Sequence, residues 1–81
     1  MAANPLPDSI RWKLANGVLP RERREQVWVG YGTGVPCDGC DHPITPEDVE
    51  HEVTVGGRTL RLHLNCLRIW ESERFTGGER R

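Results

Sequence analysis

The segments PCDGC, residues 36–40, and HLNC, residues 63–66, hold the chain's three cysteines and one of its three histidines. Cys37 and Cys40 stand three residues apart, and His63 and Cys66 repeat that interval, so the full spacing is C-x2-C-x22-H-x2-C. A tight turn lets two cysteines at this spacing aim both sulfurs at one point. Gly39 between them permits the close backbone, and the turn's amides can donate to thiolate sulfur. Zn²⁺ favours four nitrogen or sulfur donors in a tetrahedron, and Cys₃His is a common structural set. The pattern therefore predicts one structural Zn²⁺ held by Cys37, Cys40, His63 and Cys66.

Other readings of these residues fit the pattern less well. A thioredoxin-like redox pair needs its Cys-x-x-Cys to open a helix after a central strand of a βαβ unit, and nothing around residues 37–40 suggests one. His42 lies too close to Cys40 to close a comfortable chelate, so a surface position is expected for it. His51 falls within an alternating apolar segment and is expected at a partly buried or edge position.

Between the two ligand pairs, Thr45-Pro46-Glu47-Asp48 has turn chemistry. Val49, His51, Val53 and Val55 then alternate with Glu50, Glu52 and Thr54, as a half-buried strand does. Gly56-Gly57 is a two-residue hairpin signal, and RTLRLHL supplies the returning strand, with Leu60, Leu62 and Leu64 on its apolar side. From Asn65, an expected N-cap, the spacing becomes helical, pairing Leu67 with Trp70 and Trp70 with Arg74. Cys66 then enters the first turn of a helix, where the helix N-terminus favours a thiolate.

Knuckle, hairpin and a helix carrying the last ligand resemble the treble-clef zinc-finger arrangement. The spacing from Cys37 to Cys66 is similar to the first zinc module of a LIM domain, with one departure: no second ligand set follows Cys66. The resemblance covers about residues 35–75. It implies a zinc-stabilised fold whose usual role is to bind other proteins. The line RLHLNCLRIWESER also resembles short bacterial proteins, a likeness that carries no activity with it.

Upstream, Pro5 and Pro7 suggest an extended start through residue 7. Asp8 is an expected N-cap, residues 9–16 a short helix, and Asn16-Gly17 its stop. Ile10, Leu14 and Leu19 form an apolar set that so short a helix cannot bury alone. They are expected to pack near Trp70 and the final helix. RERRE, residues 21–25, reads as a solvated turn or short helix. QVWVGY, residues 26–31, reads as a strand, and GTG, residues 32–34, as a flexible connector.

The expected fold is a small α+β zinc-stabilised domain: a treble-clef-like knuckle, β-hairpin and C-terminal helix, with an N-terminal helix packed on it. Residues 1–34 hold the N-terminal helix and connecting strand, 35–75 the zinc-binding module, and 76–81 a disordered tail. With 81 residues, 36% of them hydrophobic and 28% charged, the chain is too small for a self-sufficient core and calls for a staple.

No apolar run approaches a membrane span, and the N-terminus lacks the basic start and apolar stretch of a signal peptide. A cytoplasmic location is expected, where thiols stay reduced. The net charge is −1, which gives no global basicity for nucleic acid. A protein partner is expected, with Trp12, Trp28, Tyr31 and Trp70 as candidate contacts, although packing would place Trp28 and Trp70 inside. The hairpin of residues 49–62 is expected to offer an exposed strand edge for that contact. The alternative is a nucleic-acid-binding zinc finger acting in transcription or translation, using Arg11, Lys13, Arg21, Arg23, Arg24, Arg58 and Arg61 on phosphates. No catalytic residue is expected: four protein donors leave no open coordination position, and Glu71 and Glu73 read as solvated helix residues.

Overall fold

The computed structural model describes residues 6–76, and the expectations for residues 1–5 and 77–81 lie outside the described residues. Two helices and three strands follow the order α1 (Leu6–Ala15), β1 (Gln26–Tyr31), β2 (Val49–Val55), β3 (Arg58–His63) and α2 (Leu64–Thr76). The strands form one antiparallel sheet in the order β1-β2-β3. Neither helix is long and apolar enough to cross a membrane.

Helix α1 starts earlier than its sequence signals suggest. Pro7 and Asp8 both lie within it, so Asp8 is a first-turn acid rather than the N-cap. Pro7 is tolerated because a first-turn amide has no intrahelical acceptor to lose. The stop falls where expected. The Val18 amide bonds the Lys13 carbonyl at 2.8 Å and the Gly17 amide bonds that of Leu14 at 3.4 Å, the two hydrogen bonds of a Schellman cap.

The β2–β3 turn also forms as expected. Gly56 and Gly57 have φ of 52° and 84°, the two positive values that a type I′ hairpin requires. β3 passes straight into α2, so Asn65 lies inside the helix rather than capping it. The site gives a reason for this: His63 must stand at the strand end while Cys66 occupies the first helical turn. The RERRE stretch is exposed and irregular. The GTG segment is tied down rather than free. Its Gly32 and Gly34 amides bond the carbonyls of Asp48 and Ile44, and Thr33 donates its amide and hydroxyl to the buried carboxylate of Glu50.

The core lies between the sheet and the two helices. It gathers Ile10, Leu14 and Leu19 from the N-terminal segment, Ile44, Val53, Val55, Leu60 and Leu62, and Trp70 from α2. Trp70 is fully buried, and its indole N–H donates to the Pro20 carbonyl at 2.8 Å. The N-terminal apolar set thus completes the core beside α2, as its inability to bury itself required.

Trp28 departs from the expectation. It remains 60% exposed, with Val29 at 64% and Tyr31 at 84%. The register sets Trp28 beside Glu52, on the face of the sheet turned away from the core, while Val29 and Tyr31 lie on the core face of an edge strand beyond the cover that α2 gives to β2 and β3. The hairpin edge is likewise not free on the β2 side, because β1 pairs along it from Gln26↔Thr54 to Tyr31↔Val49.

Candidate metal centre

The Cys37–Cys40 pair sits in a small knuckle. A Pro36↔Pro43 bridge clips its base, and the Cys37 amide bonds the His42 carbonyl at 2.8 Å. Asp41 takes a left-handed φ of 69° to turn the chain back, a conformation that Asp tolerates better than most residues. Gly39 is needed here because the knuckle presses on α2: a Cβ at this position would stand 2.8 Å from the Cβ of Cys66 and 3.3 Å from its sulfur. The strand end brings His63 and the first turn of α2 brings Cys66 to the same point. The ligand atoms of Cys37, Cys40, His63 and Cys66 all lie within 4.8 Å of one another.

These four residues could hold a metal ion. Tetrahedral Zn–S bonds of about 2.3 Å imply roughly 3.8 Å between sulfurs, which is the scale of this cluster. Cys40 Sγ and His63 Nδ1 already stand 3.4 Å apart. None of the three cysteines is in a disulfide. His42 is exposed, and His51 is buried on the core face of β2, opposite Val29 and Leu62. Neither joins the cluster.

The electrostatics favour negative charge at its centre. A hydrogen bond from the Cys66 thiol first, against the cost of burial, holds Cys37 at about 4, far below its ordinary 9.0. The amides of Cys40, His63 and Gly39 add to this, and the Gly39 amide lies 3.3 Å from the Cys37 sulfur. Cys66 is driven up, first by donating to Cys37, then by burial and by repulsion from the Cys37 charge. Burial is the main cause that raises Cys40. Left to themselves, the sulfurs share one negative charge; a divalent ion among them favours thiolate at all three.

Two supporting residues escaped the sequence reading. Asp48 faces the far side of the His63 ring, with Oδ2 3.5 Å from Nε2. Nδ1 is toward the cluster and Nε2 toward this carboxylate, the arrangement that fixes the orientation and basicity of a metal-binding imidazole. The Thr45 amide and hydroxyl, and then His63, hold the Asp48 carboxyl below its usual range. The Thr45–Asp48 turn signal was the available clue.

Lys13 is the other. It is buried, and its ammonium reaches the carbonyl oxygens of Asp38 and Gly39, each at 3.0 Å, and the carboxylate of Asp41 at 2.8 Å. It braces the knuckle from α1 and is withdrawn from the set of phosphate contacts. Arg11 pairs with Asp8 and Glu73, Arg24 with Glu71, and Arg61 with Glu50 and Glu52, while Arg58 donates to the Val18 carbonyl.

Fold and site together define a small α+β protein with a Cys₃His cluster that could hold a metal ion. Compared with known proteins, the chain matches no protein family, no curated protein and no solved structure.

Proposed function

We propose that the chain is a structural zinc domain of treble-clef-like design that serves as a protein-protein interaction module and has no catalytic turnover of its own. The convergence of four protein donors, two of them fully enclosed cysteines, carries this reading. Four donors complete the tetrahedron that Zn²⁺ favours, so no position remains for a reacting water or substrate. The knuckle, hairpin and helix follow one another as they do in treble clefs, and their ligand spacing is that of a first LIM module. The exposed aromatic side chains of β1 supply contact surface for a protein partner.

Nucleic-acid binding draws less support, because most of the basic side chains it would use are already paired with acids or carbonyls of the same molecule. The metal reading is tested by zinc content and X-ray absorption of the purified protein. One zinc per chain is expected, with a shell of three sulfurs at roughly 2.3 Å and one nitrogen at roughly 2.0 Å. A protein that folds without zinc, or an oxygen-rich shell, overturns it.

A further inference from the structure

We propose that β1 is a self-association edge, and that a second copy of this chain pairs with it antiparallel about a two-fold axis at Val29, joining two three-stranded sheets into one of six strands. This rests on the reading of the molecule as an interaction module and names the partner.

The two sheet edges differ. Beside β3 stands the knuckle: Asp38 donates its amide to the Arg61 carbonyl and accepts from the Arg61 amide, and the His63 amide points to the Cys37 sulfur. Among the described residues, β1 has no such cover. The Gly32 amide bonds the Asp48 carbonyl, and hydrogen-bonded pairs alternate along an antiparallel ladder. By that alternation Gln26, Trp28 and Gly30 face β2, and the main-chain groups of Val27, Val29 and Tyr31 face outward. Exposed edges are usually guarded by charge, proline or a bulge. QVWVGY contains no charged residue and no proline, and its pairing with β2 runs without interruption.

The strand is also complementary to itself. Pairing about Val29 sets Val27 opposite Tyr31 and Trp28 opposite Gly30 of the second copy, with no charge facing a like charge. Gly30 has open space where a side chain would stand. A hollow of about 200 Å³ lies over it, lined by Trp28, Thr33, Glu50 and Glu52. It accepts the indole of Trp28 from the second copy, and the half-exposed Glu52 carboxylate suits an indole N–H. On the other face Val27 opens onto a groove of about 530 Å³ shared with Leu67 and Arg68 of α2. Tyr31 of the second copy lies over that groove. An isologous interface of this kind uses each feature twice.

The test is the solution mass of the zinc-loaded full chain by light scattering across a dilution series, for the native protein and for Val29→Lys. The native chain is expected at twice its 9.2 kDa mass at high concentration. Val29→Lys sets two like charges against each other at the axis, and is expected at the single-chain mass with native zinc content and amide dispersion. A native protein that stays at the single-chain mass at every concentration overturns the proposal and leaves the interaction-module reading in place. A Val29→Lys protein that keeps the doubled mass also overturns it. Should that variant fail to fold, amide exchange of the native protein decides. Slow exchange at Val27, Val29 and Tyr31 that is lost on dilution supports the pairing, and fast exchange in a doubled species refutes it. Failure of the zinc reading registers separately, as a chain that folds without zinc.

Discussion

The ammonium of Lys13 in α1 donates to the carbonyl oxygen of Gly39, 3.0 Å away in the knuckle between Cys37 and Cys40. One side chain thereby ties the N-terminal helix to the candidate metal centre, and it neutralises carbonyl dipoles that the tight turn leaves facing inward. Lys13→Met keeps much of the stem and removes the charge. It should strand the carbonyls of Asp38 and Gly39 and lower stability by about 1–3 kcal/mol. Denaturant unfolding of the zinc-loaded protein measures this, and an unchanged midpoint would show that the brace contributes nothing.

Asp48 stands behind the His63 ring. Outer carboxylates of this type typically change metal affinity by about 10–100-fold. Asp48→Asn should weaken zinc by that order in a chelator competition while the fold persists. His63→Ala should remove a donor and release the metal, whereas His42→Ala, altering an exposed ring, should leave zinc content intact. Retention of metal by His63→Ala and its loss from His42→Ala would require a different donor set.

Gly39 faces Cys66 with no room for a methyl group, the added Cβ lying 2.8 Å from the cysteine's own. Gly39→Ala must push the knuckle away from α2 and spread the donors. Lower zinc affinity and a lower thermal midpoint are expected together. An alanine variant with native affinity would mean that the knuckle shifts without cost to the site.

The sign of the acid response follows from Cys37. Its folded-state value, about 4, lies below its ordinary 9.0, so its contribution to stability is full above 9.0 and is lost as pH falls toward 4. Cys66 and Cys40 are raised; their contributions have the opposite sign and fade as pH rises above the ordinary thiol value. These windows lie on opposite sides of the ordinary value, so without metal Cys37 is the one thiol of the three that responds to acid. With a divalent ion all three thiols titrate low, and protons must displace the metal. The zinc-loaded protein should therefore lose stability much more steeply on acidification than the chelated one. Equal slopes in pH-dependent melts would contradict a thiolate metal site.

Trp70 and Trp12 should respond very differently to the same change. Trp70 is fully buried and bonded to Pro20, whereas Trp12 is 60% exposed. Trp70→Phe removes core volume and leaves the Pro20 carbonyl without its donor, for a loss of roughly 1–3 kcal/mol. Trp12→Phe should fall within about 0.5 kcal/mol of native, as surface changes usually do. Urea unfolding distinguishes them, and equal losses would mean that Trp12 is buried in solution.

Local spacing was enough to bring the sequence to the donor cluster. Cys37 and Cys40 must share a turn, His63 and Cys66 must share a strand–helix junction, and Gly56-Gly57 must fold the chain between them, because these are constraints among near neighbours. The α1 stop at Gly17 and the strand at residues 26–31 were legible for the same reason. Tertiary structure alone decided what crosses the molecule. Lys13 looks like any other basic residue until α1 docks on the knuckle, and Asp48 like any acidic turn residue until the hairpin carries His63 back to it. Trp28 has the composition of a core residue, yet the register that sets it beside Glu52 turns it to the face of the sheet away from α2. The helix covers β2 and β3 and stops short of β1, so the most apolar strand in the sequence stands at the open edge.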